Sequence, residues 1–397
     1  MAAIRDPDRP IRVMFVIARL NIGGPAVHLV LLAEQLPRSE FDTTLVCGHI
    51  GPGEGDMAYL AEQRGVQPIY IAQLGRELSP LRDLLTLIKL WRLMRTLRPH
   101  VVHTHTAKAG FVGRVAAWLA RVPVRVHTFH GHVFHGYFSP RKTQVFLWLE
   151  RLTARLSNRL ITISPALKDE LVTTYRIAPA HKVEVVPLGM ELAPLAATPR
   201  HQGRFRTQFA IPTDVPLIGI VGRVVAIKNH DLFLRMARRV RDARPEACFV
   251  IIGDGDLRPT VEATVRELNL NDAVIFAGWQ QDLAAAYSDM DVLVISSDNE
   301  GTPAALIEAL AAGVPVASTD VGGVRDILHG GEYGRIVPPR DPDALAAAVL
   351  AALSEPPTDQ DAIRTATVEE YGMRRLLDEL GNLYRTLLAA KRGRRGQ

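Results

Sequence analysis

Two glutamates, Glu300 and Glu308, stand in "SSDNEGTPAALIEALAAGVPVAST". Glu308 is the one charge in a run of Ala, Leu and Ile from Ala304 to Ala312. A carboxylate in such surroundings needs hydrogen-bond donors or a positive partner. The plain alternative gives Glu308 a neighbouring arginine and makes Glu300 an ordinary loop residue. Upstream, "GIVGRVVAIKNHD" carries Arg223 and Lys228 where a strand gives way to a helix. Two cations in such a loop suit a diphosphate, although surface charges of no special role have the same appearance. Gly322 and Gly323 in "TDVGGVRDIL" mark another strand-to-helix turn, where backbone N–H groups can approach phosphate. In "IGDGD", a tight turn explains Gly253 and Gly255 as well as a ligand would.

The first half has its own pair, Gly23–Gly24. It is not GxGxxG, and no acidic residue ends the next strand, so a dinucleotide cofactor is not expected. A loop closely approached by a sugar or phosphate remains, beside a plain turn. "VHTFHGHVFHGYF" concentrates His127, His130, His132 and His135, and "HTHTAKAG" adds His103 and His105. No acidic residue accompanies them, and His127 and His130 need not face the same side of the backbone. Hydrogen-bonding histidines in a site are therefore expected rather than a metal centre. His103 is expected to pack within its strand and His105 to border the site.

Alternating strands and helices must position these residues. "IRVMFVIA", "TTLVCG", "PIYIA", "HVVHTH", "VRVHTF", "RLITIS" and "KVEVVP" read as strands with helical patterns between most of them. After "PLGMELAPLAATPRHQG", which reads as a linker, a second series follows: "PLIGIVG", "ACFVIIGDG", "AVIFAG", "DVLVIS", "VPVAST" and "GRIVPP". This alternation predicts α/β architecture, two doubly wound parallel sheets of Rossmann-like type facing across a cleft. The expected divisions are 1–190, 191–375, and a C-terminal helix with a basic tail over 376–397. The helix after Glu300 is expected to be buried, with Thr302 as N-cap, Pro303 in its first position and Gly313 closing it. The loop before it lies at the carboxyl end of a parallel sheet, where α/β folds bind ligands.

With 397 residues, 47% of them hydrophobic, the chain can fill two ordinary cores. Cys47 and Cys248 make no metal or redox spacing and read as buried thiols. The N-terminal apolar run is too short for a signal peptide and no stretch reads as a membrane span, so a cytoplasmic protein is expected. Residues 1–190 hold 24 Lys+Arg against 14 Asp+Glu, and the remainder 23 against 28. A basic first half suits an anionic partner or membrane surface. No zinc-finger pattern or aromatic-rich basic repeat points to nucleic acid.

These residues, in this order and on these elements, resemble the retaining glycosyltransferases of the two-domain GT-B fold, family four. The E-x7-E pair Glu300 and Glu308 carries the resemblance most strongly, followed by Arg223 and Lys228, the Gly23–Gly24 loop, and His130 of "TFHGH". The resemblance implies an acceptor-binding first domain and a nucleotide-sugar-binding second one. Glu308 would hold the ribose hydroxyls of a nucleotide diphosphate sugar, UDP by default, and Glu300 the sugar. Arg223 and Lys228 would neutralise the diphosphate with no metal and no cofactor. Gly23, Gly24 and the residues Gly301, Thr302, Pro303 and Ala304 would complete the donor site. His130 would contact the donor sugar or the arriving acceptor, and His105 and His132 the acceptor. The implied mechanism is same-face attack by the acceptor hydroxyl, with the leaving phosphate as base. A nucleotide-sugar epimerase and a catalytically silent sugar-nucleotide-binding partner are the alternatives. Family members commonly act on lipid-linked saccharides in cell-envelope polysaccharide synthesis. "PLRDLLTLIKLWRLMRTLRP" fits that setting, because Arg82, Lys89, Arg92 and Arg95 recur at helical spacing beside Leu, Ile and Trp91. It reads either as a helix lying on an anionic bilayer or as an ordinary packed surface helix.

Overall fold

The computed structural model describes residues 10–21, 23–51, 55–75, 79–131, 140–355 and 359–393. His132 and His135 lie outside the described residues. The chain divides into two units, one of Met1–Gly189 with Arg374–Gln397, the other of Met190–Met373.

The first unit holds β1 (Ile11–Arg19), β2 (Phe41–Gly48), β3 (Ile69–Tyr70), β4 (Val101–His105), β5 (Val124–Phe129), β6 (Arg159–Thr162) and β7 (Val183–Val185). They form one sheet in the order β3-β2-β1-β4-β5-β6-β7, with every pairing parallel. Strands such as β1, with Phe15 and Val16 fully buried, are apolar on both faces because helices cover both sides. The chain winds one way from β1 and returns to the other side at β4. The loops after β1 and β4 therefore part from each other at the sheet's carboxyl edge, as ligand sites in such sheets require.

The second unit repeats the plan with β8 (Leu217–Val221), β9 (Cys248–Ile252), β10 (Val274–Gly278), β11 (Val292–Ile295), β12 (Val316–Thr319) and β13 (Arg335–Val337). The order is β10-β9-β8-β11-β12-β13, again parallel. Its switch point lies between β8 and β11, the strands that end in the Arg223–Lys228 loop and in the Glu300 loop.

Three expectations change. From Met190 onward, the stretch read as a linker is part of the second unit. It contains a short helix, Ala193–Ala197, and buries Leu192 and Leu195 in a core with Phe205 and Ile211. Pro, Ala and Gly content concealed two leucines with a place to pack. The tail is helical further than expected: the last helix runs Met373–Gly393. Leu376, Leu380, Leu383 and Tyr384 are buried at helical spacing, and that stripe seats the helix on the first unit, where Gly381 lies near Phe41 and Arg385 pairs with Glu40. Finally, the helix after Glu300 is Ala304–Ala311, with Pro303 rather than Thr302 as N-cap and no side-chain cap bond. Pro303 is extended (φ −70°, ψ 107°), so it cannot join the first turn, and its carbonyl accepts from Leu306 N–H at 3.1 Å. The far end closes as expected. Gly313 takes a left-handed φ of 72°, and Val314 N–H reaches back to the Ala309 carbonyl at 2.8 Å, a Schellman closure.

Candidate active site

In the second unit, the loops after β8 and β11 are joined by hydrogen bonds. Ser296 Oγ donates to the Lys228 carbonyl at 2.9 Å. Asn229, left-handed at φ 47°, accepts from Leu232 N–H and so caps the His230–Ala243 helix. Its Nδ2 donates to Asp298 Oδ1 at 3.1 Å, and Arg340 holds the same carboxylate. This framework sets Lys228 Nζ at 2.6 Å from Glu300 Oε1, and Ser297 Oγ donates to that oxygen at 2.6 Å. Glu300 is nearly buried while Lys228 keeps about a quarter of its side chain accessible. Arg223, in the same loop, is exposed, and its guanidinium has no hydrogen-bond or ion-pair partner among the described residues.

The glycine turn after β12 packs against this loop. A Cβ on Gly322, whose φ is +53°, would lie 1.6 Å from the Glu300 carbonyl oxygen. Gly323 N–H donates to the Gly301 carbonyl at 3.0 Å. That N–H, expected to face phosphate, is used to hold the Glu300 loop in place. Gly253 is likewise a close approach between backbones, its Cβ position 2.0 Å from the Gly222 carbonyl oxygen.

Glu308 sits one turn into the Ala304–Ala311 helix and is half-buried. It is not without a protein partner: Tyr287 Oη donates to Oε2 at 2.8 Å. Burial pushes the Glu308 carboxyl above the usual range, and the Tyr287 bond partly opposes this. Tyr287 is fully buried, and its own hydroxyl is pushed up by burial and by the Glu308 charge. One carboxylate oxygen is therefore fixed, which orients the other. Nothing in the sequence marked Tyr287; Ser296 and Ser297, at the end of an apolar strand, were a visible signal.

In the first unit, Gly23 N-caps the Gly24–Gln35 helix, and no atom of the described chain lies within 4 Å of a Cβ placed on Gly24. After β4, Thr106 adopts φ 63°, ψ 153°, a region almost reserved for glycine. Its Oγ1 accepts from Ala18 N–H at 3.3 Å, tying the turn after β4 to the end of β1. The histidines divide by strand alternation. His127 faces one side of the sheet, its Nδ1 2.9 Å from Thr104 Oγ1. His103, His105 and His130 gather on the other. His103 is buried between Tyr384 Oη at 2.7 Å and Thr128 Oγ1 at 2.7 Å. His130 Nε2 lies 2.8 Å from His105 Nδ1, and His28 meets the His130 ring edge-on at 5.3 Å.

His105, expected to border the acceptor, is fully buried; its path to any ligand runs through His130, which is half-buried. Three other ring nitrogens, His28 Nδ1, His105 Nε2 and His130 Nδ1, are buried without hydrogen-bond partners among the described residues. Burial lowers the pKa of His28 to about 4, assisted by Arg375, and that of His103 to about 3, assisted by His28. It holds His105 and His130 well below the usual range. The cluster is therefore neutral at pH 7. Among the described residues, no group of three or more His, Cys, Asp or Glu is arranged to hold a metal ion.

Two parallel-sheet α/β units, each with polar residues gathered at its own switch point, define a GT-B enzyme. Residues 22–193 match the Glycosyltransferase Family 4 model and residues 202–368 match Glycosyl transferases group 1. The chain belongs to the GT-B glycosyltransferases, family four and group 1 in type. It is 27% identical over 363 residues to the UDP-Gal:alpha-D-GlcNAc-diphosphoundecaprenol alpha-1,3-galactosyltransferase of Escherichia coli, covering 90% of this chain and 92% of that one. It is 24% identical to the capsular polysaccharide biosynthesis glycosyltransferase CapM of Staphylococcus aureus, covering 82% of this chain and 87% of the other. Its fold matches Anabaena HepE in complex with UDP at a TM-score of 0.81 and 17% identity, over 95% of this chain and 100% of that one.

Proposed function

We propose that this glycosyltransferase moves a sugar, with retention and without a metal, from a UDP-sugar to a saccharide carried on a lipid diphosphate in cell-envelope polysaccharide synthesis. The observation that carries the reading is the Lys228–Glu300 pair in the loops after β8 and β11, together with the Tyr287–Glu308 pair, whose carboxylate stands on the helix that follows. Glu308, with one oxygen fixed by Tyr287, presents the other to the ribose hydroxyls. Lys228 and the unpaired Arg223 supply the positive charge that stabilises the leaving diphosphate, assisted by the free N–H groups at the start of the Ala304–Ala311 helix. Glu300 binds the sugar hydroxyls, and its bond to Lys228 fixes both side chains before the donor arrives. The acceptor hydroxyl attacks from the face the diphosphate leaves, and a phosphate oxygen takes its proton. In the first unit, neutral His130 accepts or donates one hydrogen bond to a sugar hydroxyl. Gly23 and Gly24 keep their loop open to close approach.

The names of the relatives support the substrate classes: one acts on a diphosphoundecaprenol-linked sugar, another belongs to capsule synthesis, and a solved neighbour holds UDP-glucose. Among the described residues no helix is long and apolar enough to cross a membrane. However, the Pro80–Leu97 helix packs through Thr86, Leu90 and Met94 and leaves Leu81, Leu84, Leu85, Ile88 and Trp91 exposed. An apolar stripe flanked by Arg82, Lys89, Arg92 and Arg95 suits an enzyme whose acceptor is anchored in a bilayer.

The test is turnover of UDP-galactose, UDP-glucose, UDP-N-acetylglucosamine and GDP-mannose, in excess EDTA, on polyprenyl-diphosphate N-acetylglucosamine, with the product's anomeric configuration read by NMR. An α-linked product from a UDP-sugar supports the proposal. A β-linked product overturns retention, and turnover with GDP-mannose alone overturns the nucleotide.

A further inference from the structure

A pocket of about 380 Å³ opens in the first unit between the Pro140–Leu156 helix and the turn leading into β7. Its polar lining is wholly cationic: Arg151, Arg155, Arg176 and Lys182, over an apolar floor that includes Val172 and Ile177. Among the described residues no carboxylate lines it. Arg155 precedes β6 and Lys182 directly precedes β7, so the pocket lies at the amino edge of the sheet, whereas His130 follows the carboxyl end of β5. It is separate from the site described above.

The cations are held by neutral groups. Arg151 donates to the Tyr175 carbonyl at 2.8 Å, and Lys182 Nζ to the Arg155 carbonyl at 3.4 Å. Arg155 and Arg176 are exposed and have no acidic partner among the described residues. Burial, followed by the charges of Arg125 and Arg159, pushes Lys182 below its usual range. Four cations converging without an acid keep that arrangement at a cost in repulsion, which a bound polyanionic group would relieve.

The pocket's rim indicates which anion. Trp148, Arg151, Leu152 and Arg155 follow one another at helical spacing, and Trp148 and Leu152 are 60% and 42% exposed. The two helices preceding this one expose Trp91 and Trp118. All three follow strands along which the chain advances in one direction across the sheet, so right-handed crossovers set them on one face. Tryptophan and leucine beside a cationic pocket match the chemistry of a bilayer surface, where rings sit at headgroup depth over phosphate.

We propose that this pocket binds the phosphate of an anionic phospholipid headgroup, with Trp148 and Leu152 entering the adjoining acyl boundary. The site orients the first unit on the membrane and is independent of the cations on the Pro80–Leu97 helix.

The full chain is tested by co-sedimentation with vesicles of phosphatidylcholine alone and of phosphatidylcholine with phosphatidylglycerol. Arg155→Gln/Arg176→Gln should weaken binding to the anionic vesicles about thirtyfold, two losses of about 1 kcal/mol each converted at 1.4 kcal/mol per decade. Neither guanidinium has a partner among the described residues, so thermal melting should not change. Trp148→Ser should weaken binding to the same vesicles. Undiminished vesicle binding by the arginine double variant overturns the proposal. So does phosphorus NMR showing that inorganic phosphate fills the pocket while vesicles do not compete for it.

Discussion

Lys228 Nζ and Glu300 Oε1 are bonded at 2.6 Å, so the cation proposed to receive the diphosphate is held by the carboxylate proposed to bind the sugar. Ser297 shares the same Glu300 oxygen. Substrate binding then needs no search by a long, flexible lysine, and little ordering entropy is lost at that step.

Lys228→Ala removes both the charge and its orientation. We expect kcat/KM to fall about a hundredfold or more, with nucleotide binding reduced less than turnover. Transfer by the unaltered chain should persist in excess EDTA. Abolition by EDTA with rescue by manganese would show that a metal, not Lys228 and Arg223, carries the leaving charge.

Glu308→Gln should weaken UDP binding about tenfold, because a charge-assisted hydrogen bond contributes roughly 1.5–3 kcal/mol. Tyr287→Phe should weaken it less, since half-buried Glu308 can recruit water. The two changes together should cost less than their sum, as for groups in one network. Calorimetry with UDP checks this; strict additivity would show that Tyr287 does not act through Glu308.

Gly322→Ala should displace the Glu300 loop. The new methyl would overlap the Glu300 carbonyl, and the residue would be left-handed; the expected cost is about 1–3 kcal/mol. Gly24→Ala meets nothing in the described chain and should melt within about 0.5 kcal/mol of the parent. A chain indifferent to Gly322→Ala in both melting and turnover would contradict the packing described.

The buried histidines predict the acid limit. Their folded pKa values lie below the unfolded value of 6.5, at about 4 for His28 and about 3 for His103. The unfolded chain therefore binds more protons on acidification. The histidines' contribution is complete above about pH 6.5 and is lost as pH falls from there toward about 4 for His28 and about 3 for His103, each with a slope of about 1.4 kcal/mol per pH unit. Arg375 beside His28 and Arg114 beside His127 act in the same direction. Denaturant melts between pH 7 and pH 4 should show this slope, reduced in His103→Gln; a flat profile would mean that the cluster is hydrated.

On the Pro80–Leu97 helix, replacing Arg82, Lys89, Arg92 and Arg95 with Gln should weaken binding to phosphatidylglycerol vesicles, and the unaltered chain should leave them near about 0.5 M salt, where screening is short-ranged. Donor hydrolysis should be unaffected. Vesicle binding unchanged by all four substitutions would make the exposed leucines a protein contact instead.

The sequence by itself determined the class of fold and the placement of Arg223, Lys228, Glu300 and Glu308 on the loops after β8 and β11 and on the helix that follows. β-branched strands alternating with helical periods lead to parallel sheets, and the positions of Glu300, Glu308, Arg223 and Lys228 relative to strand ends survive folding because local turns place them. Tertiary structure alone decided the partners. Tyr287 reaches Glu308, Tyr384 reaches His103 across 281 residues, and His105 is buried beneath His130, because each contact depends on how separate elements pack. The short Ala193–Ala197 helix and the return of Met373–Gly393 to the first unit were hidden for the same reason. Leu192 or Tyr384 becomes a core residue only when a distant surface is there to bury it, and local sequence carries no record of that surface.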